Sequence, residues 1–157
     1  MMTIHPVATF FFGFESDFVS TLKCVPMIVR YKLDSCGVKL KLHEWAKFSL
    51  ADKELLATLP CFQTDEIKQY ENFVRKLVKS YFGYEASTLT FIDDNWNNIS
   101  EVPIEIHQKA KEWECPGVSL KEWINLNTLQ RFALVKLSRS GHEGKNFPVA
   151  LREFGVV

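Results

Sequence analysis

The chain has 157 residues, 46% of them hydrophobic and 24% charged, which is typical of a globular protein rather than a disordered one. Nineteen Lys and Arg balance nineteen Asp and Glu. The chain therefore lacks the excess of basic residues that is typical of proteins that bind nucleic acid. The N-terminus has no basic region and only a short phenylalanine run, so we predict neither a secretory leader nor a membrane span. We therefore expect one cytoplasmic domain over residues 1–157, with its four cysteines as reduced thiols.

The N-terminal stretch is rich in phenylalanine. Residues 1–9 are predicted to form a loose terminus, and the period of two at 10–15 indicates a strand or an extended arm laid on the core. Apolar side chains on such an arm suit contact with another protein. The candidate partner-binding residues are Phe10, Phe11, Phe12 and Phe14.

Helix signals follow in the first half of the chain. Pro26 can occupy the first turn of a helix without losing a hydrogen bond, and Gly37 supplies a left-handed stop. Lysine alternates with apolar residues at 38–42, so a short strand is possible there. Ser49 is predicted to cap the next helix, which Pro60 ends.

The strongest helix pattern lies at 64–83. Apolar and aromatic side chains recur on one face, Asp65 and Glu66 suit the positive N-terminal end, and Gly83 ends the helix. We expect this long central helix to bridge the two halves of the chain.

Residues 25–59 recur in weaker form at 102–137. Without a gap, 42–59 matches 120–137 at five positions, where about one match is expected by chance. The matched pairs are Leu42 and Leu120, Glu44 and Glu122, Trp45 and Trp123, Leu56 and Leu134, and Leu59 and Leu137. Ser49 also falls on Asn127, and both residue types cap helices. Two interpretations are open, namely an internal duplication or two capped helices that converged on one pattern.

Taken together, these patterns predict an all-α fold with at most one or two very short strands. Its two pseudo-symmetric helical halves, 25–59 and 102–137, are joined by the central helix at 64–83.

Three stretches resemble ligand-binding motifs without completing them. The segment 141–146 lacks the spacing and the hydroxyl of a phosphate loop. Asp93, Asn95 and Asn97 have the spacing of the first calcium ligands, but the required glycine and the final glutamate are missing. His43 begins a zincin-like sequence that has no second histidine. We therefore predict no catalytic residue and no bound cofactor.

Three cysteines, Cys24, Cys36 and Cys61, fall beside predicted helix ends in the first half. Their thiolates could converge on zinc or on an iron–sulfur cluster, which makes a metal or cluster carrier the alternative function. None of them belongs to a Cys-x-x-Cys pair, the spacing that makes such sites recognisable. Free cysteine is also one of the most buried residue types, so core packing is the favoured interpretation and no metal site is predicted.

Several short sequences in the first half are distinctive. They are Phe12-Gly-Phe-Glu15, Asp17-Phe-Val19, Leu22-Lys-Cys-Val-Pro-Met27, Val29-Arg-Tyr-Lys-Leu-Asp-Ser-Cys-Gly37, Trp45-Ala-Lys-Phe-Ser49 and Leu59-Pro-Cys61. Together they resemble the nitrate reductase-associated protein family, with a similarity that is dense over residues 12–82 and thinner beyond. The resemblance implies a small cytoplasmic accessory protein needed for active molybdenum nitrate reductase, and it supplies no catalytic residues.

Three functions are compatible with these observations. The first is a non-catalytic, chaperone-like maturation factor that binds apo or immature nitrate reductase while its cofactor is inserted. The second is the metal or iron–sulfur carrier that uses the three cysteines. The third is an enzyme that acts on the cofactor, for which the sequence offers only scattered His and Glu. We predict the first, with nitrate reductase as the partner and with no binding to nucleic acid or membrane.

Overall fold

The computed structural model describes residues 11–141 and 144–157. Within these residues the chain is mainly helical, as predicted, with eight α-helices and one antiparallel sheet of two strands. The helices are α1 Met27–Cys36, α2 Leu42–Lys47, α3 Leu50–Thr58, α4 Thr64–Phe82, α5 Ile104–Glu112, α6 Leu120–Asn125, α7 Thr128–Arg139 and α8 Asn146–Glu153. The strands are β1 Val38–Lys39 and β2 Ser87–Thr88. No helix in the described ranges is both long and apolar enough to cross a membrane.

Contacts divide the chain into two compact units, with the boundary between Ile92 and Asp93. The first unit contains α1 to α4 and the sheet, and the second contains α5 to α8. The central helix predicted at 64–83 is α4, which lies in the first unit. The single domain over 1–157 and the bridging role of this helix stay predictions.

In the first unit, α1 packs against α3 and α4. Apolar side chains from all three helices are fully buried there, among them Val29, Leu56, Val74 and Val78. Removal of this much apolar surface from water is the main stabilising contribution to such a core. The helix stripes read from the sequence therefore correspond to the faces that meet.

A short sheet follows α1, where the sequence indicated a possible strand. Gly37 ends the helix with a φ of 76°, a left-handed conformation that glycine adopts without steric cost. The chain then enters β1, which pairs with β2 in an antiparallel register of Val38 with Thr88 and Lys39 with Ser87.

The N-terminal segment differs from the predicted strand or arm. Gly13–Glu15 forms a 3-10 turn, and Phe12 before it is buried. The buried carboxylate of Glu15 accepts the backbone N–H of Phe12 at 3.0 Å and that of Met27 at 2.8 Å. The prediction was wrong because the alternation of phenylalanines contains no information about this long-range bond to the start of α1. The predicted loose terminus, 1–9, lies outside the described residues.

In the second unit, α7 packs against α5, α8 and a 3-10 turn at Asn95–Asn97. Phe132 and Leu134 of α7 are fully buried. Ser119 and Asn127 cap the starts of α6 and α7, since Ser119 Oγ and Asn127 Oδ1 each accept the backbone N–H three residues on, at 3.1 Å and 2.8 Å.

The two units contain tryptophans with the same local bonding. Trp45 and Trp123 are both buried. The indole N–H of Trp45 donates to the carbonyl of Leu22 at 3.0 Å, and that of Trp123 donates to the carbonyl of Asn98 at 2.9 Å. Both carbonyls lie in the loop before the first helix of their unit. Superposition of 25–59 on 102–137 by a rotation stays a prediction.

Candidate functional site

A group of aromatic side chains meets at the surface of the first unit, where the C-terminal end of α4 lies against α2 and the start of α3. We call it the aromatic patch, and its members are His43, Phe48, Tyr81, Phe82 and Tyr84. Ring centroids are 5.0 Å apart for Phe48 and Tyr81, 6.3 Å for Tyr81 and Phe82, 5.6 Å for Phe82 and Tyr84, and 5.7 Å for His43 and Phe82. These separations lie in the range of favourable aromatic pairs, so each ring helps to fix its neighbour.

Hydrogen bonds hold the two tyrosines of the patch in place. The Tyr81 hydroxyl donates to Asp52 Oδ2 at 2.7 Å and accepts the backbone N–H of Ser49 at 3.0 Å. The Tyr84 hydroxyl donates to Glu44 Oε2 at 2.7 Å. Each ring is therefore anchored at its polar end, which lowers the conformational entropy that a partner would have to remove.

The carboxylate of Glu44 is fully buried below the patch. Its second oxygen accepts the backbone N–H of Lys41 at 2.8 Å, which closes the capping box of α2. The hydrogen bond to this carboxylate raises the pKa of the Tyr84 hydroxyl. Tyr84 therefore keeps its proton and remains a hydrogen-bond donor to Glu44 at neutral pH.

Apolar and basic side chains surround the patch. Tyr81 and Tyr84 are each 39% exposed, and Leu42 in the first turn of α2 is 76% exposed. The Lys41 ammonium lies 5.9 Å from the ring centre of Tyr84, within the range of a cation–π contact. Partly exposed tyrosines beside apolar residues are typical of protein-binding surfaces.

The phenylalanines selected from the sequence lie at another place in the first unit. Phe12 is only 2% exposed and lies in the core of the first unit. Phe14 stacks on it with ring centroids 5.2 Å apart and is half-buried, as is Phe11. Phe10 lies outside the described residues. Partner binding by Phe11, Phe12 and Phe14 stays a prediction.

A second unusual feature of the first unit is the buried side chain of Lys32. Its ammonium donates to the carbonyls of Ala57 at 2.8 Å and Leu59 at 2.6 Å, at the C-terminal end of α3. It also lies 5.8 Å from the ring centre of Tyr70. Burial lowers the pKa of Lys32 to about 8. The last carbonyls of a helix need donors from outside it, so capping of α3 accounts for this lysine.

The cysteines considered as metal ligands, Cys24, Cys36 and Cys61, also lie in the first unit. Cys61 is buried and its thiol donates to the carbonyl of Lys32 at 3.6 Å, whereas the thiol of half-buried Cys36 donates to that of Leu33 at 3.5 Å. Burial raises the pKa of Cys36 to about 11 and that of Cys61 to about 12. Burial therefore favours the neutral thiol form of both side chains. Among the described residues, Cys24, Cys36 and Cys61 do not form part of any group of three or more side chains that could hold a metal ion.

A comparison with protein families gives the decisive observation. The model of the conserved nitrate reductase-associated protein family matches residues 11–154, which is nearly the whole chain. The chain belongs to this family. The search of curated proteins and the search of solved structures returned no match.

The aromatic patch of this nitrate reductase-associated protein was not predicted from the sequence. Its members come from two segments, 43–48 and 81–84, that are brought together by the packing of α4. The one local signal is the Tyr81-Phe-Gly-Tyr84 sequence at the end of a strongly amphipathic helix. Aromatic residues at the C-terminal end of such a helix are not needed to continue its buried stripe, which is a reason to consider them as surface residues.

Proposed function

We propose that this protein is a non-catalytic accessory protein that binds molybdenum-dependent nitrate reductase in its apo or immature form. In this proposal it acts in the cytoplasm and supports cofactor insertion or activation of the reductase. The observation that carries the proposal is the family match over residues 11–154, because the family is described by its association with nitrate reductase.

The geometry of the first unit supports a binding role. The aromatic patch presents tyrosines that are anchored by hydrogen bonds, partly exposed and flanked by an exposed leucine. Rigid aromatic side chains of this kind supply contact area at a low entropic cost. An enzyme that lacks its cofactor leaves apolar surface uncovered around the empty site, so a binder of this kind favours the immature form over the finished one.

The test is a deletion of the gene followed by three separate measurements on the reductase. These are the amount of reductase polypeptide, its molybdenum content and its activity in cells supplied with nitrate. We expect normal polypeptide with a low molybdenum content and low activity, and restoration of both by a plasmid copy of the gene. Unchanged activity would refute the proposal, and so would a loss of reductase transcript, because the protein would then act on gene expression.

A further inference from the structure

The segment 39–47, which contains α2, exposes basic side chains and buries its acidic one. Between residues 39 and 47 the exposed titratable side chains are three lysines and one histidine, namely Lys39, Lys41, His43 and Lys47. The acidic residue of the same segment, Glu44, is fully buried and bonded to Tyr84. The exposed titratable groups of this segment are therefore all basic, although the chain as a whole has a formal net charge of zero.

These lysines are available for a partner. Among the described residues, Lys39, Lys41 and Lys47 form no ion pair with a carboxylate. Two acidic groups bonded to or next to patch residues already have partners, since Asp52 accepts the Tyr81 hydroxyl and Glu85, the residue after Tyr84, pairs with Lys79 at 3.2 Å. Exposed charges that are unpaired in the free protein steer and orient a partner of opposite charge.

The aromatic rings favour a protein partner over a single-stranded nucleic acid. Phe82 and Tyr84 stack on each other with an interplanar angle of 27°, and Lys41 lies over the ring of Tyr84. His43 meets Phe82 edge-on at 80°. Ring faces that are already occupied in this way offer little area for the stacking of bases, on which single-strand binding depends. The exposed edges and the neighbouring Leu42 suit side chains of a protein.

We propose that the aromatic patch, together with Leu42 and the lysines at 39, 41 and 47, is the docking surface for an acidic segment of nitrate reductase. Carboxylates of that segment would pair with the lysines, and an apolar side chain beside them would pack on Leu42 and the rings of Tyr81 and Tyr84. This inference rests on the proposed function and adds to it the surface and the charge of the partner segment.

The first experiment measures binding of the full chain to purified nitrate reductase, in cofactor-free and complete forms, as a function of salt. The patch variant is Lys39→Glu/Lys41→Glu/Lys47→Glu, and we expect its dissociation constant for the cofactor-free form to rise by about tenfold or more at low salt. The matched control is Lys111→Glu/Lys121→Glu/Arg152→Glu, which makes the same change in net charge at exposed positions of the second unit. Two of its changes lie in last turns of helices, as does Lys47, so the control also carries the helix-dipole penalty. We expect the control to bind within about twofold of the parent.

A second variant tests the apolar part of the surface without a change in charge. Leu42→Ser removes an exposed side chain, so the melting temperature should not change, while binding to the reductase should weaken about three- to tenfold. Zero-length carbodiimide coupling then joins lysines to carboxylates in the complex. Peptide mass spectrometry should place the links at Lys39, Lys41 or Lys47 and at Asp or Glu of the reductase.

The outcomes separate this inference from the proposed function. Equal binding by the parent and the patch variant, or links only at lysines outside the patch, would overturn the docking surface and leave the accessory role intact. Absence of binding by the parent to either form of the reductase would overturn both. Binding of a labelled single-stranded oligonucleotide by the parent, lost in the patch variant, would assign the surface to nucleic acid and refute the inference.

Discussion

The two units of the chain contain similar local structures but bury different charged groups. In each, a buried tryptophan donates its indole N–H to a loop carbonyl, and the glutamate directly before it accepts the backbone N–H at the start of a short helix. The first unit buries Glu15, Lys32, Glu44 and Lys53, whereas Arg131 is the charged side chain buried in the described part of the second.

The difference indicates which features serve the fold and which are candidates for function. Features present in both units, such as the tryptophan and the capped helices, are explained by local stability. The aromatic patch depends on α4, which has 19 residues, while α8, the last helix of the second unit, has 8. Among the described residues, α8 is too short to supply an equivalent of residues 81–84. The docking surface that we propose therefore belongs to the first unit.

The largest effect on stability is expected when either buried tryptophan is removed. This prediction tests whether the two tryptophans stabilise their units equally. Trp45→Ala and Trp123→Ala should each lower the free energy of unfolding by about 3–5 kcal/mol, because each removes a fully buried side chain and leaves a cavity. Denaturant unfolding followed by circular dichroism measures the loss. Trp113→Ala is the control, since Trp113 is 42% exposed and should cost less than about 1 kcal/mol. A loss below about 1 kcal/mol for either buried tryptophan would show that the two residues do not have the same structural role.

The tryptophans also show what the sequence could predict. Their similarity was visible because a tryptophan and the glutamate directly before it recur at fixed spacing, and the glutamate caps its helix only three residues away. The 3-10 turn at Gly13–Glu15 could not be predicted, because it depends on a bond from the Glu15 carboxylate to a backbone N–H twelve residues away. The aromatic patch is more remote still, since the bond from Tyr84 to Glu44 spans forty residues.

A second prediction concerns Lys32 and the pH dependence of stability. Its pKa is about 8 in the folded protein, below the usual value of 10.5. Between these two values the unfolded chain binds more protons at this residue than the folded one, so the free energy of unfolding rises with pH. This contribution should be about 1.4 kcal/mol between pH 7 and pH 9. It should be absent from Lys32→Met, as measured by denaturant unfolding of both proteins at the two pH values.

The comparison with Lys32→Met is necessary because the thiols of Cys36 and Cys61 also affect the pH dependence of stability. The raised pKa values of Cys36 and Cys61 mean that the folded protein retains their protons above pH 9, which lowers stability as pH rises further. Only the difference between parent and variant isolates the lysine. Lys109→Met is the matched control, because Lys109 lies at the corresponding place in α5 and its ammonium pairs with Glu112 at 3.2 Å. If Lys32→Met changes the pH dependence no more than Lys109→Met does, burial of the ammonium is not the cause.

The smallest effect on stability is expected at the turn that follows the first α-helix of each unit, where the two units have different residue types. After α1 the chain turns at Gly37, with φ 76°, and after α5 it turns at Glu114, with φ 52°. The alignment of Val25-Pro26 with Val102-Pro103 places these two residues opposite each other. A left-handed conformation costs a residue with a side chain about 1–2 kcal/mol, whereas glycine adopts it freely. At this turn the second unit therefore carries a strain that glycine spares the first.

Exchange of the residue types should reverse this difference. Glu114→Gly should stabilise the protein by up to about 1 kcal/mol, since the strain is relieved but the unfolded chain gains entropy. Gly37→Ala should destabilise it by about 1 kcal/mol, and steric overlap is not the reason, because a Cβ there would meet Ile92 at an ordinary distance of 3.8 Å. Thermal unfolding of the two variants and the parent measures both changes. Gly117→Ala is the control, because its added Cβ meets open space and its φ is outside the left-handed region. Destabilisation by Glu114→Gly would mean that the glutamate side chain stabilises the turn by more than its backbone strain costs.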